Sequence, residues 1–178
     1  MGCIVKREAW LDVKPRGAAR PRFGNGRTYT PAEYRAHLEE LRLRIGSAFG
    51  GARFNGALRV VVEFYFAPLA SWSKREREAM LSSWESVPLA FDGDNLVKAV
   101  FDACNALVWV DDKWVKEFAV SKSYSDREGI RLRIEEIHDE DHESGVPDVI
   151  EELNLRDRIA ILERRLEAAE AALKERAV

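Results

Sequence analysis

The stretch Phe91-Asp92-Gly93-Asp94-Asn95-Leu96-Val97-Lys98, read with Trp109-Val110-Asp111-Asp112 and the run to Lys122, decides how this chain is understood. Two carboxylates stand one residue apart, just ahead of a helical pattern. That pattern predicts a helix from about Asn95 to Leu107, with Leu96, Val100, Ala103 and Leu107 on one face. A second acidic pair, Asp111-Asp112, follows it, and a β-type run from Trp114 to Lys122 comes next. If the chain folds back after Leu107, Asp92, Asp94 and Asp112 meet at one end of the helix. Three clustered carboxylates repel one another unless a cation lies between them, and hard oxygen ligands of this kind suit Mg²⁺. Lys98 lies one turn beyond Asp94, within reach of the same anionic centre. Taken singly, each residue also has a plainer account. Asp94 can cap the helix, Asp92 can favour its positive end, Asp111-Asp112 can be a turn, and Lys98 can pair with Asp94 or Asp102.

Upstream, Ala9 to Val13 reads as a short strand. Lys14 to Tyr29 is a Gly- and Pro-rich loop carrying Lys14, Arg16, Arg20, Arg22 and Arg27 and no acid. Such a run is either a solvated surface loop or an arm that grips DNA phosphates, and its lack of any acid favours the arm. Thr30-Pro31-Ala32-Glu33 predicts a helix start, with threonine as cap, proline at the first position and Glu33 completing a capping box. This helix runs through Tyr34, Leu38, Leu41 and Ile45 to about Phe49, where Gly50-Gly51 stops it. Ala57 to Ala67 is the best strand. Leu58, Val60, Val62, Phe64 and Phe66 alternate with Arg59, Val61, Glu63 and Tyr65, and both faces are apolar enough for a central position. Ser73 caps a helix from Lys74 to about Trp84.

Downstream, Val115 to Tyr124 and Ile130 to Ile137 read as two strands joined by a turn, for which an antiparallel hairpin fits best. The expected division is a domain over residues 1–137, an acidic linker over 138–148 and a C-terminal helix over 149–178. In that helix Leu155, Ile159, Leu162, Leu166, Ala169 and Leu173 recur at alternating spacings of four and three, the seam of a coiled coil with another copy or a protein partner. The plainer account is a helix folded back on its own domain.

Net charge is −3, which looks wrong for a DNA binder until it is divided. Residues 138–178 hold six Lys/Arg against twelve Asp/Glu, so residues 1–137 keep twenty-two against nineteen and are net positive. The two cysteines, Cys3 and Cys104, have no paired spacing, which indicates neither zinc nor a disulfide framework. Cys104 is expected to be a buried thiol, and His37, His138 and His142 are too scattered to be metal ligands. No signal peptide or membrane span is evident, so a cytoplasmic protein with no membrane partner is expected.

The run Asp92-x-Asp94-Asn95-Leu96-x-Lys98-Ala99-Val100-x-Asp102-Ala103-x-Asn105, then Trp109-x-Asp111-Asp112-x-x-Val115 and Lys122, resembles the RusA family of Holliday junction resolvases, found in bacteria and their prophages. Lys14-Pro15-Arg16, Arg20-Pro21-Arg22-Phe23, Tyr29-Thr30-Pro31 and Tyr34 are similar to that family's opening segment, and the likeness covers about Leu11 to Glu136. The resemblance implies an α+β fold, a mixed sheet packed with helices, here extended by a C-terminal amphipathic helix. It implies an Mg²⁺-dependent endonuclease, with Mn²⁺ as the alternative ion, acting as a homodimer on four-way or branched DNA in recombination and repair. Asp92, Asp94 and Asp112 would be the metal-binding carboxylates and Lys98 the essential lysine. The same chemistry on forks, flaps or D-loops is an alternative, as is a non-catalytic junction-binding module with a partner-recruiting helix.

Two departures from the family stand out. Gly93 replaces a branched apolar residue between the aspartates and is expected to loosen the backbone. Leu89-Ala90-Phe91 stands where many relatives carry lysines. Phe91 is then either a wedge that unstacks junction bases or a core residue.

Overall fold

A computed structural model of the chain describes residues 6–24, 26–83, 86–137, 155, 159–164, 166, 167 and 170. The elements run β1 (Lys6–Leu11), β2 (Arg22–Gly24), β3 (Arg27–Tyr29), α1 (Ala32–Phe49), β4 (Leu58–Phe66), α2 (Lys74–Leu81), α3 (Gly93–Cys104), a single 3-10 turn (Asp112–Trp114), β5 (Val115–Tyr124) and β6 (Gly129–Glu136). The architecture is α+β, a mixed sheet packed with helices, as the family resemblance implies.

The main sheet is four-stranded in the order β1-β6-β4-β5. β4 is central, as the burial of both its faces requires: β6 pairs with it antiparallel and β5 parallel. The expected β5–β6 hairpin is therefore not formed. The four residues between these strands cross over the end of β4, where the Ser125 amide donates to the Phe66 carbonyl at 2.9 Å. A short connection suggests a hairpin, but β4 supplies a longer apolar ladder for both strands than they would offer each other. The parallel pairing of β4 with β5 requires a crossover, and α2 and α3 form it.

One face of the sheet carries the core. Leu58, Val60, Val62, Phe64 and Phe66 of β4 pack with Leu41, Ile45 and Phe49 of α1 and with Leu96, Val100 and Ala103 of α3. The helical period of α3 puts Leu96, Val97, Ala99, Val100, Phe101, Ala103 and Cys104 inside. Burial raises the pKa of the Cys104 thiol. The opposite face of β4 is polar but paired. Arg59 meets Glu117 at 2.7 Å, and Glu63 accepts from the Tyr65 hydroxyl at 3.0 Å and faces Arg131 at 3.7 Å.

Helix ends differ in part from expectation. Pro31, not Thr30, is the N-cap residue of α1, and no side-chain capping bond forms there. A capping box does exist at α2, where Ser73 and Glu76 bond each other's backbone amides. The basic loop also contains a small hairpin, β2 with β3. The linker over 138–148 and the seam residues Ala169 and Leu173 lie outside the described residues. Where the C-terminal part is described it is helical. Arg164 donates to the Leu81 carbonyl at 3.1 Å and faces Asp126 at 3.5 Å, while Leu155, Ile159, Leu162 and Leu166 are exposed. Among the described residues no helix is long and apolar enough to cross a membrane.

Candidate functional site

Asp92 is the N-cap residue of α3 and Asp94 lies in its first turn, yet no side-chain capping bond forms. Both are exposed. The plain capping role that helix-start aspartates usually take is thus not filled, and two carboxylates project at the positive end of a 12-residue helix. Gly93 does not need its freedom: it has negative φ, and a Cβ there would meet nothing within 4 Å.

Around this helix start the chain gathers cations. The Lys122 ammonium, at the far end of β5, donates to the Phe91 carbonyl at 2.9 Å. The basic segment is docked alongside, its Ala18 amide donating to the Asn95 carbonyl at 2.8 Å. Gly17 permits that approach, because a Cβ there would stand 3.2 Å from the Phe91 ring and 3.3 Å from Asn95 Cβ. Lys14, Arg16 and Arg22 line one cavity with Phe91, whereas Arg27 lines a separate one beside Tyr29 and Arg35. Arg20 is exposed and lines neither. The Phe91 ring packs against the core and lies 6.5 Å from Phe66, nearly parallel to it, so half of it is engaged in packing.

Asp112 stands elsewhere. β5 runs back along α3: Lys122 meets Phe91 at the start of the helix, and Phe118 meets Phe101, 5.8 Å between ring centroids, near its end. Asp112 precedes Val115, the first residue of β5, so it belongs to the C-terminal end of α3. From Val115 to Lys122 a strand rising ~3.3 Å per residue covers about 23 Å. Folding back after the helix therefore does not bring Asp112 to Asp92 and Asp94 within one chain. Among the described residues no three His, Cys, Asp or Glu side chains are grouped to hold a metal ion. Asp111 does take the turn role, its carboxylate accepting from the Lys113 amide at 3.0 Å. Asn105 is also structural, holding the Trp109 indole N–H at 2.7 Å across a turn in which Ala106 adopts positive φ.

Lys98 projects from the exposed side of α3 and meets Asp102 at 3.3 Å, one of its two plain partners. Asp102 is held in turn by the Tyr34 hydroxyl at 3.3 Å. Burial first, and the Asp102 charge second, push the Tyr34 pKa up to about 12. Sequence reasoning gave no role to Lys122 beyond its place in the motif and dismissed His37, which lies buried beneath the basic segment. No signal in β5 sets Lys122 apart, since Lys116 shares its face with Phe118 and Val120 by the same alternation.

The donor set present in one chain suits a hard divalent cation in part. Mg²⁺ commonly takes one or two carboxylates together with waters and substrate phosphate, which Asp92 and Asp94 can supply. Residues 12–135 match the family model described as endodeoxyribonuclease RusA. No curated protein matches the chain.

Proposed function

The chain belongs to the RusA family of endodeoxyribonucleases, which act on Holliday junctions, and from that premise we propose that it resolves four-way DNA junctions as a homodimer whose metal sites are shared between copies. Asp92 and Asp94 of one copy and Asp112 of the partner subunit would hold Mg²⁺, with Mn²⁺ as a substitute. The observation that carries this reading is the pair of exposed, non-capping carboxylates at the start of α3, set beside a docked basic segment.

The shared site is supported by the shape of the sheet. β5 is an edge strand, and Trp114, Phe118 and Val120 are exposed along it. If two copies pair β5 with β5 antiparallel about a two-fold axis, the start of each strand lies against the end of the other. Asp112 then arrives where Lys122 marks the neighbouring α3 start. When bound, the ion supplies Lewis-acid stabilisation of the scissile phosphate. The chain's own groups do the rest. Asp92 and Asp94 fix the ion's position, Lys98 swings from Asp102 to the phosphate oxygens, and Lys14, Arg16, Arg20, Arg22 and Arg27 hold the backbone of the arms. Phe91, half packed, bounds the groove.

The division into a nuclease domain over 1–137, a linker over 138–148 and a C-terminal helix over 149–178, whose Arg164 touches the domain at Leu81 and Asp126, is part of the same proposal. It is supported by the family match ending at residue 135 and by the exposure of Leu155, Ile159, Leu162 and Leu166.

A complementation assay tests the reading. Asp94→Asn and Asp112→Asn are each expected to bind a synthetic junction and to lose cleavage by at least on the order of 100-fold, since even outer-shell partners of a metal site are worth ~10–100-fold. Mixed one to one and allowed to exchange, the two inactive proteins should regain nicking. In a mixed dimer with shared sites, one site carries both lesions and the other none, restoring roughly a quarter of the sites. Sites built within single chains would regain nothing. Full cleavage by either variant alone would remove its carboxylate from the mechanism.

A further inference from the structure

Beneath the basic segment lies a feature that neither the acidic motif nor the sheet edge explains. His37, on the inner face of α1, is only 5% exposed, and its Nε2 has no hydrogen-bond partner. The ring's bond to the Arg16 backbone is therefore made through Nδ1. A neutral imidazole bonded in this way leaves a lone pair on Nε2, and a buried polar atom without a partner is costly. His37 lines two adjoining cavities of about 330 and 350 Å³. Their charged and titratable lining is Lys14, Arg16 and Arg22 from the basic segment and Glu33, Tyr34 and Glu40 from α1. The first turn of α1 adds amides with no side-chain cap, and Phe91 forms the wall nearest Asp92. Three cationic side chains and an unpartnered buried imidazole border this space.

We propose that this space seats one backbone phosphate of the bound DNA strand, gripped by Lys14, Arg16 and Arg22 and closed from below by a protonated His37 through Nε2. The proposal rests on the nuclease reading and deepens it: the seat would hold the strand next to the cut, with Phe91 as the partition. A phosphodiester oxygen only accepts hydrogen bonds, so His37 must carry a proton on Nε2 to donate to it. In the free protein that proton is disfavoured, first by burial and then by the Arg16 charge, while Glu40 pulls the other way. A phosphate anion in the cavity reverses the balance. DNA binding thereby takes up a proton, and affinity rises as pH falls from the bound pKa of His37 toward its lower free value, by up to about tenfold per pH unit. Glu33 and Glu40 at the rim moderate the anion's attraction. Lys14 and Arg16 are exposed, and Lys14 would leave Glu128, 3.5 Å away, to close over it.

The test is the affinity of the full-length protein for a synthetic four-way junction, measured without divalent ions at constant salt from pH 8 to pH 5.5. His37→Gln is compared with the native chain, since an amide can donate to phosphate but does not titrate. The native protein should tighten on acidification more steeply than His37→Gln, and the variant should bind at least as well at pH 8. In parallel, imidazole resonances of the native protein should report a rise in the His37 pKa when junction is added, a readout that does not depend on the variant folding. Equal pH slopes in the two proteins, or a His37 pKa unmoved by DNA, would overturn the phosphate seat and leave the nuclease reading intact. Absence of junction binding at every pH would overturn both.

Discussion

The two ends of α3 carry the same kind of side chain in opposite settings. At the start, Asp92 and Asp94 are exposed, make no capping bond and are flanked by the docked basic segment and Lys122. At the finish, Asp111 is consumed in a turn and faces Lys113, and Asp112 leads into an edge strand where Trp114 and Phe118 are exposed. On the proposed function, one end receives phosphate and the other a second copy. A helix of 12 residues rising ~1.5 Å per residue keeps the two about 18 Å apart, so under the proposed function each end completes its chemistry in another copy. On that reading the acidic motif is divided between two sites, and the rigid body that divides it is the core helix itself.

The harshest way to break the comparison is to loosen that helix. Leu96 is fully buried one residue inside the acidic end. Leu96→Ala should cost about 2–5 kcal/mol of stability, through lost burial and the cavity left behind. Because the spacing of the two ends depends on the same packing, junction cleavage and dimerisation should fall together in thermal and sedimentation measurements. If cleavage survived with a normal melting temperature, α3 would not be the ruler between the ends.

A narrower substitution separates them. Phe118 is 52% exposed on the edge strand, with one side of its ring against Phe101. Phe118→Lys puts a desolvation penalty and a like-charge pair across a two-fold strand pairing. We expect dimer dissociation to rise on the order of 30-fold, or about 2 kcal/mol, as for the loss of an interface anchor. Monomer stability should change by less, near ~1 kcal/mol for the aromatic pair. Metal affinity should fall with the dimer, since Asp112 leaves with the partner. A monomeric variant that bound Mg²⁺ normally would show that Asp92 and Asp94 suffice.

These expectations also mark what the sequence could and could not say. The central position of β4 was legible, because its alternation leaves neither face fit for solvent. So was the α3 core, whose Leu96, Val100 and Ala103 share one stripe. The β5–β6 relation was not. Local turn chemistry cannot report that a third strand, some fifty residues earlier, slips between two neighbours. The sequence put Asp92, Asp94 and Asp112 together on condition that the chain folds back after Leu107; within one chain they stand at opposite ends of α3, since adjacency along a motif says nothing about which end of the intervening helix each residue occupies. His37 was passed over because one histidine on a helix is indistinguishable in sequence from core packing. Only the orphaned Nε2 and the cations above it set it apart.

The mildest probe acts midway along the helix. Tyr34 donates to Asp102 at 3.3 Å, and Asp102 also meets Lys98. Tyr34→Phe removes the hydroxyl without changing the ring and should cost about 1 kcal/mol at neutral pH. The alkaline limb carries the sharper signature. Burial, helped by Asp102, raises the Tyr34 pKa from its usual 10.0 to about 12 in the folded chain. Between these values the unfolded chain releases its phenolic proton while the folded chain keeps it. The unfolded state then binds fewer protons, and stability falls as pH rises. The contribution is fully present below pH 10 and lost by pH 12, so chemical denaturation across that window should slope downward more steeply for the native chain than for Tyr34→Phe. Parallel slopes would mean that the hydroxyl is wetted, that Asp102 is not pinned by it, and that Lys98 is held to the helix by one contact rather than by a chain of three groups.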